Sequence, residues 1–244
     1  MKNCLILGSN SDLGQALAYK FASEGYNITL ASRSVSDYQI RLKHDLSIKF
    51  GIPVYVAHFE STNYKLLNNF WDSLECIPDV VISVFGYLGN QDLAMEDFNE
   101  SYRIINSNYV AQVALINTFI KRIKGKKQAA IIGVSSVAGE RGRKSNYIYG
   151  SAKAGFTTYL SGLRNDLFND NIHVMTVLPG FIQTKMLGDL KTPKVLTALP
   201  KEVANQIFNA YKTKKNRIYC LPIWRWIMLI IRCIPEFIFK RLSL

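Results

Sequence analysis

Short, nearly continuous apolar runs recur along this chain at 4–7 (CLIL), 28–31 (ITLA), 54–57 (VYVA), 80–84 (VVISV), 129–134 (AAIIGV) and 173–178 (HVMTVL). Each has the length of a strand and shows little of the polar–apolar alternation that marks a strand with one wet face. Strands of this kind are buried on both sides, as in a parallel sheet covered by helices above and below. Segments 12–24, 64–74, 97–124 and 149–169 between them carry apolar residues at helical spacing. Strand and helix in alternation imply right-handed crossovers. The expected architecture is α/β: a doubly wound parallel sheet in a three-layer α/β/α arrangement over residues 1–220, with 221–244 as a tail.

A chain of 244 residues with 48% apolar composition buries one sizeable core, and no repeat or Pro/Gly/Ser-rich linker divides it. Thirty Lys and Arg against eighteen Asp and Glu leave a net charge of +12, which calls for an anionic partner: nucleic acid, a membrane surface or a phosphorylated ligand. Cys4, Cys76, Cys220 and Cys233 are scattered with no CxxC pair. That argues against a disulfide framework or a metal site and fits a reducing, cytoplasmic compartment. The first apolar run ends at Gly8, too short for a secretory signal, and no run approaches the ~20 apolar residues that span a bilayer.

The first strand runs directly into Gly8-Ser9-Asn10-Ser11-Asp12-Leu13-Gly14 ahead of a helix. A glycine-bearing turn there brings backbone N–H groups and a helix N-terminus up to a pyrophosphate. The plainer alternative is a strand-to-helix turn capped by Asn10, Ser11 or Asp12. The second strand ends in Ala31-Ser32-Arg33-Ser34. In a Rossmann-like dinucleotide fold that end faces the adenosine ribose, where an acid favours a free 2′-OH and an arginine accommodates a 2′-phosphate. Arg33 therefore points to NADP(H), with Ser32 or Ser34 as a further donor.

Tyr149 and Lys153 are four apart on a predicted helix and share one face. The spacing alone is common; Tyr211–Lys215 repeats it. Context separates the two pairs. Tyr149 follows Ser136 by thirteen residues, and Ser136 stands just past strand 129–134, whereas Tyr211 has Ala198 at that offset. A free tyrosine has a pKa near ~10, and a neighbouring ammonium that stabilises phenolate is expected to lower it, so that Tyr149 serves as acid or base. Ser136 is placed to hydrogen-bond a substrate oxygen. Asn108, in the long helix after the fourth strand, is placed to hold a water and Lys153 in a proton relay.

These residues together resemble the short-chain dehydrogenase/reductase family over residues 1–220. The match rests on the glycine turn, Phe85-Gly86, Asn108, Ser135-Ser136-Val137-Ala138-Gly139, Tyr149-Gly150-Ser151-Ala152-Lys153, and Pro179-Gly180 with Thr184. The resemblance implies oxidation or reduction at a carbonyl or alcohol carbon with NADPH/NADP+, through a catalytic set Asn108, Ser136, Tyr149 and Lys153. It implies cofactor contacts from Gly8, Asn10, Ser11, Asp12, Leu13, Gly14, Arg33, Phe59, Phe85, Gly86, Tyr149, Lys153, Pro179, Gly180, Ile182 and Thr184, and a substrate loop at 185–199. Three positions depart from the family pattern: Asp12 replaces a glycine, His58 an aspartate, and Phe85-Gly86 an Asn-Ala-Gly. One branch, the decaprenylphosphoryl-2-keto-ribose reductases, is similar in Phe85-Gly86-Tyr87-Leu88-Gly89, in 138–146 (AGERGRKSN) and in 234–241 (IPEFIFKR). That branch implies a keto sugar carried on a polyprenyl phosphate.

In the tail, Arg225, Arg232, Glu236 and Lys240 fall at helical offsets 0, 7, 11 and 15, one narrow polar stripe on an otherwise apolar helix that Pro235 can kink. A basic stripe opposite Trp and Phe fits a helix lying in a membrane interface; packing on the core or on another subunit is the alternative. Arg141, Arg143 and Lys144, between Ser136 and Tyr149, are expected near the mouth of the site, with at least one on a substrate phosphate. No nucleic-acid motif accompanies the charge. The resulting expectation is an NADPH-dependent ketoreductase of a lipid-linked or lipid-like ketone, peripheral on the cytoplasmic membrane face and a possible homo-oligomer. A reductase of a 3-ketoacyl thioester or steroid-like ketone, or a non-catalytic NADP-binding scaffold, are the alternatives.

Overall fold

The computed structural model describes residues 1–61, 63–123, 129–188, 190 and 192–242. Lys124 of the expected 97–124 helix, positions 189 and 191 of the expected substrate loop, and 243–244 of the tail lie outside the described residues.

Seven strands form one parallel sheet: β1 (Asn3–Leu7), β2 (Asn27–Ser32), β3 (Val54–His58), β4 (Val80–Ser83), β5 (Ala129–Val134), β6 (Ile172–Pro179) and, after the two-residue strands β7 (Phe181–Ile182) and β8 (Thr197–Ala198), β9 (Arg217–Cys220). Their order is β3-β2-β1-β4-β5-β6-β9. The chain winds outward in both directions from β1, where Leu5 lies opposite Thr29 of β2 and Val81 of β4. A crevice opens at the carboxyl ends of β1 and β4, where the strand order reverses.

Both faces of the sheet are dry, as the unbroken apolar runs require. Along β1, Cys4 and Ile6 face one core, and Leu5 and Leu7 face the other, the period of two set by strand geometry. The first core is closed by α1 (Asp12–Ser23), α2 (Asp37–Phe50) and α8 (Pro200–Lys212). The second is closed by α3 (Leu67–Asp72), α6 (Ala111–Ile123) and α7 (Tyr147–Asp166). Two short helices, α4 (Gln91–Glu96) and α5 (Phe98–Ile105), lead into α6.

Two expected helices are interrupted. Segment 97–124 divides into α5 and α6 around a π-helical turn, Asn106–Val110, a distortion that concentrates at functional sites. The tail forms α9 (Ile223–Cys233) and α10 (Glu236–Phe239) rather than one helix. Pro235 lacks an N–H and drives Ile234 into an extended conformation (ψ 121°). The expected polar stripe is therefore broken: Arg232 lies 3.7 Å from Glu140, while Glu236 pairs with Arg141 at 2.6 Å.

One face of α9 docks on the body of the fold beside β6. Trp224 and Met228 are buried against Val137 and Leu178, with Phe181, Leu196, Ile227 and Ile231 around them. The Trp224 indole donates to Leu196 O at 3.1 Å. A Cβ on Gly180 would come within 2.0 Å of that indole, so the close fit requires glycine. Met228 is fully buried and Trp226 is 61% exposed. Met228→Ala is therefore expected to cost ~2–5 kcal/mol, and Trp226→Ala under ~0.5 kcal/mol, in chemical denaturation. Equal losses would contradict this docking.

Candidate active site

The turn after β5 and the first turns of α7 meet at unusually short range. A Cβ on Gly150 would lie 2.8 Å from Ala138 O, and one on Gly139 would lie 2.7 Å from Ala154 N. Ser135 fastens the seam: its hydroxyl donates to Lys153 O at 2.9 Å and lies 2.7 Å from Thr157 Oγ1. Small residues on both sides thus bring the Ser136 hydroxyl into hydrogen-bond contact with the Tyr149 phenol. Ser136 also accepts from Ala138 N at 3.1 Å.

Lys153 is buried beside them, 3% exposed. Its ammonium donates to Val134 O at 3.1 Å and lies 5.8 Å from the Tyr149 ring centroid. Burial pushes the Lys153 pKa down to about 8 and the Tyr149 pKa up to about 12, the Ser136 hydrogen bond pulling the latter down only in part. The expected depression of the tyrosine pKa is thus reversed by burial. Desolvation of a charged form outweighs a cation directed at a carbonyl instead of the phenol.

Asn108 sits fully buried in the π turn. Its amide nitrogen donates to Ile104 O at 2.8 Å and to Tyr87 O, and its Oδ1 accepts from Tyr87 N at 3.2 Å. The side chain is occupied in pinning the segment after β4 to the helix. It borders Lys153 across Gly86, where a Cβ would lie 2.6 Å from Asn108 Oδ1 and 3.4 Å from Lys153 Nζ.

One cavity of about 420 Å³ gathers most of the expected site. Asn10, Ser11, Asp12 and Leu13 line one end; Phe85, Gly86, Ser136, Tyr149 and Lys153 the middle; Pro179, Gly180, Ile182 and Thr184 the wall beyond β6. The residues present fit a dinucleotide. Gly8 has φ 96°, and a Cβ on Gly14 would lie 2.4 Å from Gly8 O, so the turn is held by glycines no side chain can replace. The Ser11 hydroxyl accepts from Gly14 N at 3.1 Å, which leaves the other N–H groups opening α1 to a ligand. Asn10 donates to Ser34 O at 3.0 Å and to Ser32 Oγ at 3.2 Å, while its buried Oδ1 has no partner. Arg33 stands exposed at this end, outside the cavity lining.

Other expected contacts are placed differently. Phe59 is buried in the core against Phe85, ring centroids 5.3 Å apart, and does not line the cavity. Arg141 turns to the tail: it pairs with Glu236 and lies 4.2 Å over the Phe239 ring. Lys144 is exposed, and only Arg143 of the three basic residues lines the cavity. Asp12, the departure from the glycine pattern, accepts from Lys185 N at 2.7 Å and ties the turn to the expected substrate loop.

Three cavity-shaping residues escape a reading by sequence. Ser135 stands beside Ser136 in the sequence, and only the approach of α7 shows that its hydroxyl clamps the seam. Asn146 ends the 138–146 stretch, one turn before Tyr149, but residue type alone does not mark it as a lining residue. Trp224 looks like any apolar residue of the tail until the tail docks.

A family model for short chain dehydrogenases matches residues 2–194. An uncharacterized oxidoreductase of Mycobacterium tuberculosis is 29% identical over 241 residues, covering 98% of this chain and 96% of its own. Ketoacyl reductase HetN of Nostoc is 26% identical over 224 residues, covering 89% of this chain and 77% of its own. Among solved structures, a short-chain dehydrogenase from Sphingobium yanoikuyae in complex with NADPH superposes with a TM-score of 0.83 at 20% identity, covering 97% of each chain. Sheet order, the glycine turn and the Ser136–Tyr149–Lys153 cluster agree with the family match: the chain belongs to the short-chain dehydrogenase family of oxidoreductases.

Proposed function

We propose that this oxidoreductase is an NADPH-dependent ketoreductase. The observation that carries the reading is the Ser136–Tyr149–Lys153 cluster, buried in the same cavity as the glycine turn. Gly8, Asn10–Gly14, Phe85, Gly86, Pro179, Gly180, Ile182 and Thr184 would hold the dinucleotide, and the exposed Arg33 would take its 2′-phosphate. NADPH, when bound, supplies the hydride.

The chain's residues handle the oxygen and the proton. The Ser136 hydroxyl orients the substrate carbonyl and steadies the charge that builds on its oxygen. Tyr149, its pKa raised by burial, holds its proton throughout the neutral range and donates it to the developing alkoxide, a stronger base. The buried Lys153 ammonium stabilises the resulting phenolate, and Asn108 fixes the segment that carries Gly86. Tyr149→Phe is expected to lower kcat by about two to four orders of magnitude while NADPH binding, followed by fluorescence, stays within a few-fold. Substantial residual turnover would overturn the assignment.

The cluster also sets a pH dependence. Lys153 carries its charge below a pKa of about 8 and loses it above. kcat/KM for ketone reduction is therefore expected to be level below pH 8 and to fall above it, and Lys153→Met is expected to abolish the step. A profile level through pH 9.5 would contradict this role.

For the substrate, the reading is a keto group on a polyprenyl-phosphate-type, lipid-linked sugar. Phe181, Met186, Leu187, Leu190 and Trp224 make the far end of the cavity apolar, which suits a chain-bearing ketone. The α9 helix that supplies Trp224 leaves Ile223, Trp226, Leu229 and Ile230 exposed, with Phe237 and Ile238 of α10 beyond them. No helix among the described residues is long and apolar enough to cross a membrane. An apolar face beside Arg225, Lys240 and Arg241 fits a helix lying on an anionic bilayer at the cytoplasmic face. The ketoacyl reductase relative makes a 3-ketoacyl thioester the second reading. Wild type is expected to co-sediment with phosphatidylglycerol vesicles, and the Trp226→Ser/Ile230→Ser double variant to lose about tenfold or more in partitioning. Equal partitioning of both proteins would sink the membrane reading.

A further inference from the structure

Arg143 and Asn146 lie in the turn that opens α7, where Asn146 N donates to Arg143 O at 3.1 Å. Both side chains line the active-site cavity. Buried in that wall are two polar atoms with no partner: Arg143 Nε, a donor, and Asn146 Oδ1, an acceptor. No carboxylate among the described residues pairs with this guanidinium, whereas Arg141, two residues earlier, is fully engaged by Glu236 and Phe239. Asn146 is the N-cap of a twenty-residue helix, a position where its side chain ordinarily accepts from the first N–H groups, yet it makes no capping bond.

Most buried polar groups in a folded protein are paired, and two unpaired ones facing the same cavity call for a partner in it. A charged fork of donors beside a neutral acceptor matches a group that presents an anionic oxygen and a hydroxyl together. The charge of the lining agrees: Lys153 and Lys185 are its other cations, and Asp12, the one acid among the described lining residues, is engaged by Lys185 N. We propose that Arg143 and Asn146 form a headgroup subsite for a phosphorylated polyol, the guanidinium taking a phosphate oxygen and the Asn146 carboxamide oxygen a neighbouring hydroxyl. This rests on the reductase reading and deepens it by naming what separates the substrate from a plain ketone.

The test is calorimetric titration of glycerol 1-phosphate, inorganic phosphate and glycerol into the protein held saturated with NADPH, so that the cofactor's own phosphate sites are filled. Wild type is expected to bind glycerol 1-phosphate more tightly than inorganic phosphate, and glycerol far more weakly than either. Arg143→Met is expected to weaken glycerol 1-phosphate by about tenfold or more. Asn146→Ala is expected to weaken it about threefold and to leave inorganic phosphate unchanged. Asn146→Ala removes no capping bond, and Arg143→Lys, which keeps the charge and loses the fork, is expected to fall between wild type and Arg143→Met. Geranyl phosphate binding more tightly than inorganic phosphate assigns the headgroup to a lipid, and equal binding assigns it to a soluble ester. Equal affinity of wild type and Arg143→Met for glycerol 1-phosphate, or no binding to an NADPH-loaded wild type, overturns the proposal. Turnover is not part of the readout. A protein that binds glycerol 1-phosphate as described and reduces no ketone would sink the reductase reading and leave the subsite standing.

Discussion

The seam between β5 and α7 sets the relative positions of Ser136, Tyr149 and Lys153. Ser135 holds the Lys153 carbonyl and Thr157, and Gly139 and Gly150 let the two backbones close to near-contact. Ser136 on one side and Tyr149 and Lys153 on the other are thereby fixed relative to one another. β5 is in turn held between β4 and β6, so the seam rests on a strand paired along both edges. A side chain added at either glycine would displace all three groups together, which is why a small shift here costs more than the contact itself.

Burial then does the electrostatic tuning. The same exclusion of water that raises the Tyr149 pKa lowers that of Lys153, leaving a phenol that keeps its proton beside a cation that is costly to keep charged. Arg143 is pushed down for the same reason. Three cations, Arg143, Lys153 and Lys185, stand in the wall of one cavity, which places part of the net charge of +12 at the site.

The ends of the chain meet at this cavity. Asp12, in the first turn of α1, is tied to Lys185, and Trp224 of α9 fills the space over Gly180. The tail is therefore a wall of the site rather than an appendage, and the loop 140–143 joins it through Arg141–Glu236 and Glu140–Arg232. Helix α9 has one face spent on this wall and another left apolar and exposed.

Much of this was legible in the residues alone. Continuous apolar runs such as VVISV and AAIIGV can be satisfied only between two helical layers, so the sheet, its parallel sense and its layering follow from local composition. Tyr149, Lys153 and Ser136 were legible because their spacing relates them to a helix face and a strand end. Other features were not. β9 (RIYC) is too short and too polar to stand out, and the π turn at Asn108 arises from tertiary bonds to Tyr87 and Ile104. Arg141 and Arg143 have the same chemistry two residues apart, and only the docked tail sends one to Glu236 and leaves the other in the cavity. The sequence by itself determined the fold class and the chemical cast, because periodicity and residue type are local. The tertiary structure alone decided which arginine and which tryptophan face the site, and in which direction the tyrosine pKa moves, because burial and partnership depend on what folds against each group.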